Sequence, residues 1–327
     1  MIVTRTPLRI PLGGGGTDLP SYYTQYGGFL VSAAVDKYIY IAVNRRFEDS
    51  IRVSYSKTEI VDSVEQIQHP IVREALRLTQ LDSNLEITSI ADVPSHTGLG
   101  SSSAFTVGLL NALHAYKKEQ VSAKELAEEA CFIEIELLQE PIGKQDHYVA
   151  GFGGILCLDI DRLGNVKVEQ LNLPENSLDQ LESNTLLFYT GLKRSAGEIL
   201  ATQNKSAAVN GNGTVEALHK IKEIGYKIKE SFQQGELDRF GRLLDQHWQT
   251  KKKLSDKITD PQLEAWYETA KSQGALGGKL MGAGGGGFFM FYCNDGKNGF
   301  RRALQKEGLR EMRFRIDWEG SKVLFNL

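Results

Sequence analysis

A glycine- and hydroxyl-rich turn gives the clearest chemical signal in this chain. It lies between Pro94 and Ala104, and an apolar, helix-periodic segment follows it. The turn predicts a helix N-terminus, where unpaired N–H groups and the positive end of the helix dipole bind anions. The residues that would cradle such an anion are Gly98, Leu99, Gly100, Ser101, Ser102 and Ser103. An ordinary N-cap has the same composition, and the turn alone favours that simpler interpretation.

Single residues argue against two common nucleotide-binding loops. A dinucleotide fingerprint would need glycine where Ser103 stands, and a Walker loop would need Ser or Thr after Gly278-Lys279, where the chain has Leu280. The anion site, if it forms, therefore belongs to neither class.

Two acidic residues flank a Pro-Gly turn beyond this loop. Glu134 lies seven residues before Pro141, which ends a helix, and Asp146 lies five residues after it. Carboxylates of this kind can hold Mg²⁺ or accept a proton. The residues alone leave open that Glu134 is an exposed helix acid and Asp146 a helix cap, with His147 as a packed or hydrogen-bonded neighbour.

Two further glycine-rich segments lie near the ends of the chain. The first runs from Arg9 through four glycines to Asp18, and the second, residues 277–287, is followed by an aromatic strand. Glycine runs cost conformational entropy, so they mark places where the backbone approaches something closely. A flexible turn and a plain hairpin are the alternatives that the residues leave open.

Composition limits the class of protein. The chain has 327 residues, 41% of them apolar and 24% charged, which predicts a globular protein of two domains. The net charge of −3 and the absence of a long basic run argue against nucleic acid, and Lys251-Lys252-Lys253 is predicted to be a solvated helix face. No membrane span or signal peptide is recognised, so we expect a cytoplasmic protein. Its cysteines, Cys131, Cys157 and Cys293, are expected to be buried free thiols.

The elements that must position these residues follow from hydrophobic periodicity. Strands and helices are mixed without strict alternation, which predicts two α+β domains, 1–180 and 181–327. Strands are predicted at 2–12, 29–46, 85–91, 155–158, 166–171, 185–190 and 311–325. Helices are predicted near 64–79, at 101–117 and 122–139, and between about 195 and 272, with a linker at 173–184 and a mobile loop at 207–213.

Taken in order, the three glycine-rich motifs resemble those of the GHMP kinase superfamily. The match consists of the Arg9-to-Asp18 segment, the P-x-x-x-G-L-G-S-S loop and the K-x-x-G-A-G-G-G-G segment, and it spans nearly the whole chain. The resemblance implies an N-terminal domain like ribosomal protein S5 domain 2 and a ferredoxin-like C-terminal domain. ATP and a small-molecule substrate would meet between these domains.

The resemblance also implies roles for the residues quoted above. The loop at 98–103 would cradle the ATP phosphates, and Ser102 and Glu134 would be the Mg²⁺ ligands. Asp146 would accept the proton of the attacking hydroxyl, while Arg9 and Lys144 steady the carboxylate or the phosphate charge. Alanine often stands in the family at the position that Ser103 occupies here.

The first motif bears on the acceptor. Gly15 and Gly16 stand where galactokinases have a Glu-His pair, which removes hexose contacts and makes galactose a poor candidate. The residues predicted to bind the substrate are Gly14, Gly15, Gly16, Thr17, Asp18, Arg194 and Gly285.

Within the superfamily the chain is most similar to bacterial D-glycero-D-manno-heptose 7-phosphate kinases. The segments 14–23, 143–146 and 189–195 carry this resemblance. It implies transfer of the ATP γ-phosphate to the anomeric hydroxyl, in the synthesis of surface polysaccharide, by a monomer or homodimer. Arg194 would clamp the distal phosphate of the sugar, or would simply be an exposed arginine. A kinase for an unphosphorylated sugar such as L-fucose and a non-catalytic sugar- and ATP-binding regulator are the alternatives.

Overall fold

Two long strands at the start of the chain form the centre of the first sheet. The computed structural model describes residues 1–95, 97–192 and 213–326. Strand β1 (Ile2–Gly13) runs antiparallel to β2 (Gly28–Arg45), and helix α1 (Pro20–Tyr26) lies between them in the chain. Apart from the half-buried Val3, the branched apolar residues of both strands are buried, as expected for a half-covered sheet. Arg9 and the first glycine-rich motif are thereby fixed at one end of β1.

The other strands of this sheet extend it on both sides. The described residues form eight strands in the order β12-β1-β2-β5-β3-β4, with β6 and β7 continuing from the first half of β2. These strands are β3 (Ile51–Ser54), β4 (Thr58–Val61), β5 (Leu85–Ala91), β6 (Ile155–Ile160), β7 (Val166–Gln170) and β12 (Lys322–Asn326).

Helices cover one face of this sheet and bring the central motifs to β1. They are α2 (Pro70–Thr79), α3 (Ser101–Lys117), α4 (Ala123–Cys131) and α5 (Gln145–Phe152). The Thr4 hydroxyl donates a 2.9 Å hydrogen bond to the Gly108 carbonyl, and a Cβ at Gly108 would lie 2.6 Å from Thr6 Oγ1. This close approach of α3 to β1 sets the N-terminus of α3 beside Arg9.

The second sheet is built from the C-terminal half of the chain. Its order is β11-β8-β10-β9, with β8 (Thr185–Tyr189), β9 (Gly277–Leu280), β10 (Phe288–Tyr292) and β11 (Arg310–Met312). The described helices of this half are α6 (Glu175–Asn184), α7 (Thr214–Gln233), α8 (Leu237–Lys251), α9 (Pro261–Ser272) and α10 (Lys297–Lys306). This β-α-β-β-α-β succession is the split arrangement of ferredoxin-like folds.

Several predicted elements differ from the structure. The linker predicted at 173–184 is wrong, because α6 occupies most of it and buries Leu181. The helix predicted at 122–139 is also wrong as a single element, since α4 ends at Cys131 and a π-helical turn, Phe132–Leu137, follows it. Strands β3 and β4 and helix α1 were not predicted.

The chain ends in the sheet where it began. Strand β12 pairs antiparallel with β1, with Ile2 opposite Asn326, so the last residues belong to the first sheet although they follow the second. The domain boundary at 180/181 stays a prediction. No helix among the described residues is long and apolar enough to cross a membrane. Helical residues predicted within 193–212, and most of the loop predicted at 207–213, lie outside the described residues.

Candidate active site

An arginine-aspartate pair joins the first and second motifs to the helix that carries Asp146. Arg9 Nε and Nη2 donate to Asp146 Oδ1 and Oδ2, each at 2.6 Å, and Arg9 Nη1 donates to the Gly98 carbonyl at 2.5 Å. The Arg9 N–H also donates to the Leu99 carbonyl. A bidentate pair fixes both the position and the plane of a carboxylate. The carboxylate of Asp146 is therefore held rigidly against the loop of residues 98–103, which we call the phosphate loop.

The phosphate loop needs glycine where it meets that carboxylate. Gly100 has φ +77°, and a Cβ there would lie 3.0 Å from Asp146 Oδ2. Gly100 is also the N-cap of α3, and no side chain caps the helix. The helix start predicted at residue 101 is confirmed, and the structure shows no side-chain N-cap at Ser101, Ser102 or Ser103. The first N–H groups of α3 remain available to an anion.

The third motif packs directly against this loop. A Cβ at Gly98 would lie 2.8 Å from the Met281 carbonyl oxygen, and one at Gly287 would lie 2.3 Å from that of Thr97. The glycines of the two motifs thus allow backbone-to-backbone contact, as the close-approach interpretation predicts. All three motifs meet at one place, although they are separated by almost the whole chain.

Glu134 lies in the π-helical turn and faces the interior. Its side chain is 1% exposed. Ser102 Oγ and Thr106 Oγ1 each donate to it at 2.7 Å, and His147 Nε2 lies 3.0 Å from Oε1. The exposed-acid interpretation is therefore wrong. A π-helical turn is often found at functional sites, where it redirects side chains.

Contacts between Glu134, His147 and their neighbours determine the pKa values of both groups. Burial acts to raise the pKa of Glu134, but the hydrogen bond and charge of His147 and the two hydroxyls outweigh it and lower that pKa. Burial acts to lower the pKa of His147, but Cys131 and Glu134 outweigh it and raise the pKa well above its usual value. Glu134 and His147 thus form a buried ion pair. His147 is the hydrogen-bonded neighbour that the sequence suggested.

Ser102 and Glu134 suit a magnesium ion. They present a hydroxyl and a carboxylate 2.7 Å apart at the N-terminus of α3. The described residues contain no group of three or more His, Cys, Asp and Glu side chains that could hold a metal by themselves. Mg²⁺ usually keeps several waters and takes one or two carboxylates together with substrate phosphates, so a sparse set of oxygen ligands fits it.

Asp18 lies on the same cleft as Asp146. Its Oδ1 accepts the Gly16 N–H and its Oδ2 accepts the Gln145 N–H, both at 3.0 Å, while a Cβ at Gly143 would overlap Oδ2 at 2.0 Å. Burial raises the pKa of Asp18, and the charge of Asp146 adds to this rise. The cleft lining includes Asp18, Asp146, Gly15 and Gly16, as expected for a sugar-binding surface.

Three other residues predicted to bind the substrate make contacts within the chain. A Cβ at Gly14 would lie 2.2 Å from the Phe29 carbonyl oxygen, so this glycine packs against β2. Thr17 is fully buried and donates to the Gly14 and Phe29 carbonyls. The Gly285 N–H donates to Ile258, and Gly282 lines the cleft instead. Gly14, Thr17 and Gly285 are thus absent from the described lining of the cleft, and their role in substrate binding stays a prediction.

Lys144 also lies away from the cleft. Its Nζ donates to the Gly164 carbonyl at 2.6 Å and lies 5.5 Å from the centre of the Tyr23 ring. The Lys144 ammonium thus contacts a backbone carbonyl and an aromatic ring, and its role in steadying phosphate charge stays a prediction. Arg194 lies outside the described residues.

Sequence reasoning missed a group on the opposite side of the cleft. His247, Lys251 and Lys279, which we call the lysine cluster, all line it. The prediction that residues 251–253 form a solvated face is wrong for Lys251, which is 9% exposed, while Lys253 is exposed. The signal was available: His247 and Lys251 are four residues apart, on the face of α8 that also carries Leu244.

Comparison with known proteins places this site in a family. The model of the GHMP kinases N terminal domain matches residues 64–154, and that of the GHMP kinases C terminal domain matches residues 228–309. A D-glycero-alpha-D-manno-heptose 7-phosphate kinase of Campylobacter jejuni is 31% identical over 98% of both chains. An L-fucokinase/L-fucose-1-P guanylyltransferase of Bacteroides fragilis is 27% identical over 89% of this chain and 34% of its own.

Solved structures of similar fold agree with these sequence matches. A D-glycero-D-manno-heptose 1-phosphate kinase of Bacteroides thetaiotaomicron has a TM-score of 0.83 and 26% identity, with both chains fully covered. A mevalonate kinase, at 20% identity, shares the fold with a TM-score of 0.74 over 98% of this chain. The family uses ATP and typically Mg²⁺. The chain therefore belongs to the GHMP kinases and is a phosphotransferase that acts on an alcohol group.

Proposed function

We propose that this protein is a cytoplasmic heptose-phosphate kinase. It transfers the γ-phosphoryl group of ATP to the anomeric hydroxyl of D-glycero-D-manno-heptose 7-phosphate and yields the 1,7-bisphosphate. The observation that carries this proposal is the contact of the Arg9–Asp146 pair with Gly98 and Gly100, which joins a rigid carboxylate to the phosphate loop. The identity with the Campylobacter jejuni kinase supports the choice of acceptor.

The proposed reaction uses Asp146 as the base. The anomeric O–H bond breaks, its proton passes to the Asp146 carboxylate, and the freed oxygen forms a bond to the γ-phosphorus as the bond to ADP breaks. Arg9 holds that carboxylate in one orientation, and Asp18 with the N–H group of Gly15 orients the sugar.

Binding of the nucleotide phosphates depends on the phosphate loop and on Glu134. The uncapped N–H groups of Ser101, Ser102 and Ser103 bind the phosphate oxygens. Mg²⁺, held by Ser102 and Glu134, would neutralise charge on the transferred group. His147 and Thr106 keep the Glu134 carboxylate ionised and pointing at Ser102.

A kinase for a neutral sugar is the second candidate. The match to the Bacteroides fragilis L-fucokinase covers most of this chain and supports it. The non-catalytic regulator has less support, since the three residues of the proposed chemistry, Ser102, Glu134 and Asp146, are all present.

A screen of acceptors tests the proposal. ADP release is measured with heptose 7-phosphate, heptose 1-phosphate, unphosphorylated heptose and L-fucose, and the new phosphate is located by phosphorus NMR. We expect the highest kcat/KM with heptose 7-phosphate and a new phosphorus coupled to the anomeric proton. A product phosphorylated elsewhere overturns the acceptor position, higher kcat/KM with L-fucose favours the second candidate, and no ADP release overturns the proposed function.

A further inference from the structure

The lysine cluster has positive charge without negative partners. Lys279 is 2% exposed, and its ammonium has no hydrogen-bond or ion-pair partner in the described part of the chain. Within the described residues, Lys251 Nζ donates only to backbone carbonyls, those of Leu280 at 3.3 Å and Gly282 at 2.5 Å. Buried charges are normally paired, because an unpaired one loses its hydration without compensation. Two such groups side by side are suited to bind an anion from outside the described residues, which would pair their charges.

His247 adds a second, independent sign of a ligand. Neither of its ring nitrogens has a partner among the residues that the structure describes, although both are buried. Burial and the charges of Lys279 and Lys251 lower its pKa well below the usual value, so the ring is neutral and has one donor and one acceptor nitrogen. His247 and Lys251 lie on one face of α8, beside Lys279 on β9.

The position of the cluster decides which anion it meets. It lines the cleft together with Gly15, Asp18 and Asp146, which are residues of the sugar side. The phosphate loop, residues 98–103, does not contribute to the described lining of that cleft. Arg9, the other cation there, is already paired with Asp146. The lysine cluster therefore shares its cleft with the residues proposed to bind the sugar and not with residues 98–103.

We propose that Lys279 and Lys251, with His247, bind the phosphate group that the sugar already carries before the reaction. This inference rests on the proposed function only in taking a sugar as the acceptor. A phosphate monoester has a charge of about −1.5 to −2 near pH 7, which two ammonium groups match. A neutral sugar leaves these charges unpaired, so the cluster selects phosphorylated acceptors.

Kinetics with matched substrates tests the subsite. Lys279→Met is compared with wild type, with Lys279→Arg and with the exposed control Lys253→Met. We expect Lys279→Met to lower kcat/KM for heptose 7-phosphate about 10- to 100-fold, since a charge-assisted hydrogen bond is lost. Lys279→Arg should recover part of this, and Lys253→Met should match wild type. With unphosphorylated heptose, kcat/KM should change less than about threefold, as should the KM for ATP.

Two outcomes of these kinetics overturn the subsite. Equal losses with both sugars would mean that Lys279 serves the transferred phosphoryl group, and a raised KM for ATP would mean that it serves the nucleotide. Lys251→Met provides a second variant if Lys279→Met does not fold.

A binding measurement separates this inference from the proposed function. Inorganic phosphate is titrated calorimetrically into protein saturated with a nonhydrolysable ATP analogue, so that the phosphate loop is occupied. We expect wild type and Lys253→Met to bind phosphate and Lys279→Met and Lys251→Met to lose that binding. If wild type releases no ADP with any sugar, the proposed function fails while this titration still decides the subsite. Equal binding by wild type and Lys279→Met, or no binding by wild type, overturns it.

Discussion

The two sides of the cleft differ in how their charges are satisfied. On one side, Arg9 and Asp146 line the cleft, and together with Ser102 and Glu134, which do not line it, they form what we call the catalytic cluster. Every charged group of this cluster has a partner within the chain. On the other side, the lysine cluster has carbonyls and no carboxylate within the described residues. The catalytic cluster is thus organised before any ligand arrives, while the lysine cluster is completed only by one. Catalysis needs the first property and selection of a substrate uses the second.

The largest expected effect comes from breaking the catalytic cluster at its base. Asp146→Asn keeps the shape of the side chain but removes the proton acceptor, so we expect kcat to fall about 10²- to 10⁴-fold. The control is Asp159→Asn, at an exposed position of β6. ADP release with heptose 7-phosphate gives the rates, and a kcat within about threefold of wild type would exclude Asp146 as the base.

Stability should change with opposite sign on the two sides. Glu134→Gln removes the charge that pairs with buried His147 and should lower the free energy of unfolding by about 3–5 kcal/mol. Lys279→Met removes a buried amine whose pKa is held well below its usual value by burial and by the charges of Lys251 and Arg9, and should raise that free energy. Thermal unfolding without ligands measures both. A lower melting temperature for Lys279→Met would contradict the expected opposite sign of the two stability changes.

A smaller effect concerns the hydroxyl that contacts Glu134. Ser102→Ala removes one oxygen ligand, and we expect the Mg²⁺ concentration at half-maximal rate to rise about 10- to 100-fold. Ser272→Ala, which removes an exposed hydroxyl at the end of α9, is the matched control. If Ser102→Ala changes the KM for ATP and leaves the Mg²⁺ dependence unaltered, Ser102 binds phosphate and not metal.

The difference between the catalytic cluster and the lysine cluster also explains which site residues the sequence could predict. The catalytic cluster lies in short motifs where glycine, hydroxyl and acid have fixed spacing, so Arg9, Ser102 and Asp146 could be assigned from local pattern and resemblance. The helix at 101–117 and the strand at 85–91 are confirmed for the same reason, because strong periodicity is a local property.

The lysine cluster depends on contacts that no local pattern contains. Lys251 ends a helix and Lys279 lies on a strand 28 residues later, and only the second sheet brings them together. The same holds for Gly14 and Thr17, whose partner is β2 across the sheet. The π-helical turn at 132–137 was invisible because its composition is that of an ordinary helix.

The smallest expected effect is a pH dependence of the lysine cluster. Burial, with the charge of Arg9, lowers the pKa of Lys251 to about 7. Below that pH the ammonium is charged and attracts phosphate, and above it the neutral amine does not. We therefore expect kcat/KM for heptose 7-phosphate to fall up to about tenfold between roughly pH 7 and 8.5. The second ionisation of the sugar phosphate, near pH 6, is complete over this range and does not contribute.

Stability gives the same titration an independent measure. The unfolded chain keeps Lys251 protonated up to about pH 10.4, so it binds more protons than the folded protein above pH 7. The free energy of unfolding should rise with pH over that window. Lys251→Met should make two pH dependences shallower, that of kcat/KM and that of the free energy of unfolding. Lys279 still titrates in the same direction in this variant. The charged and titratable groups that share this cleft are Arg9, Asp18, Asp146, His247 and Lys279. Unchanged slopes in Lys251→Met would assign the dependence to one of these and not to Lys251.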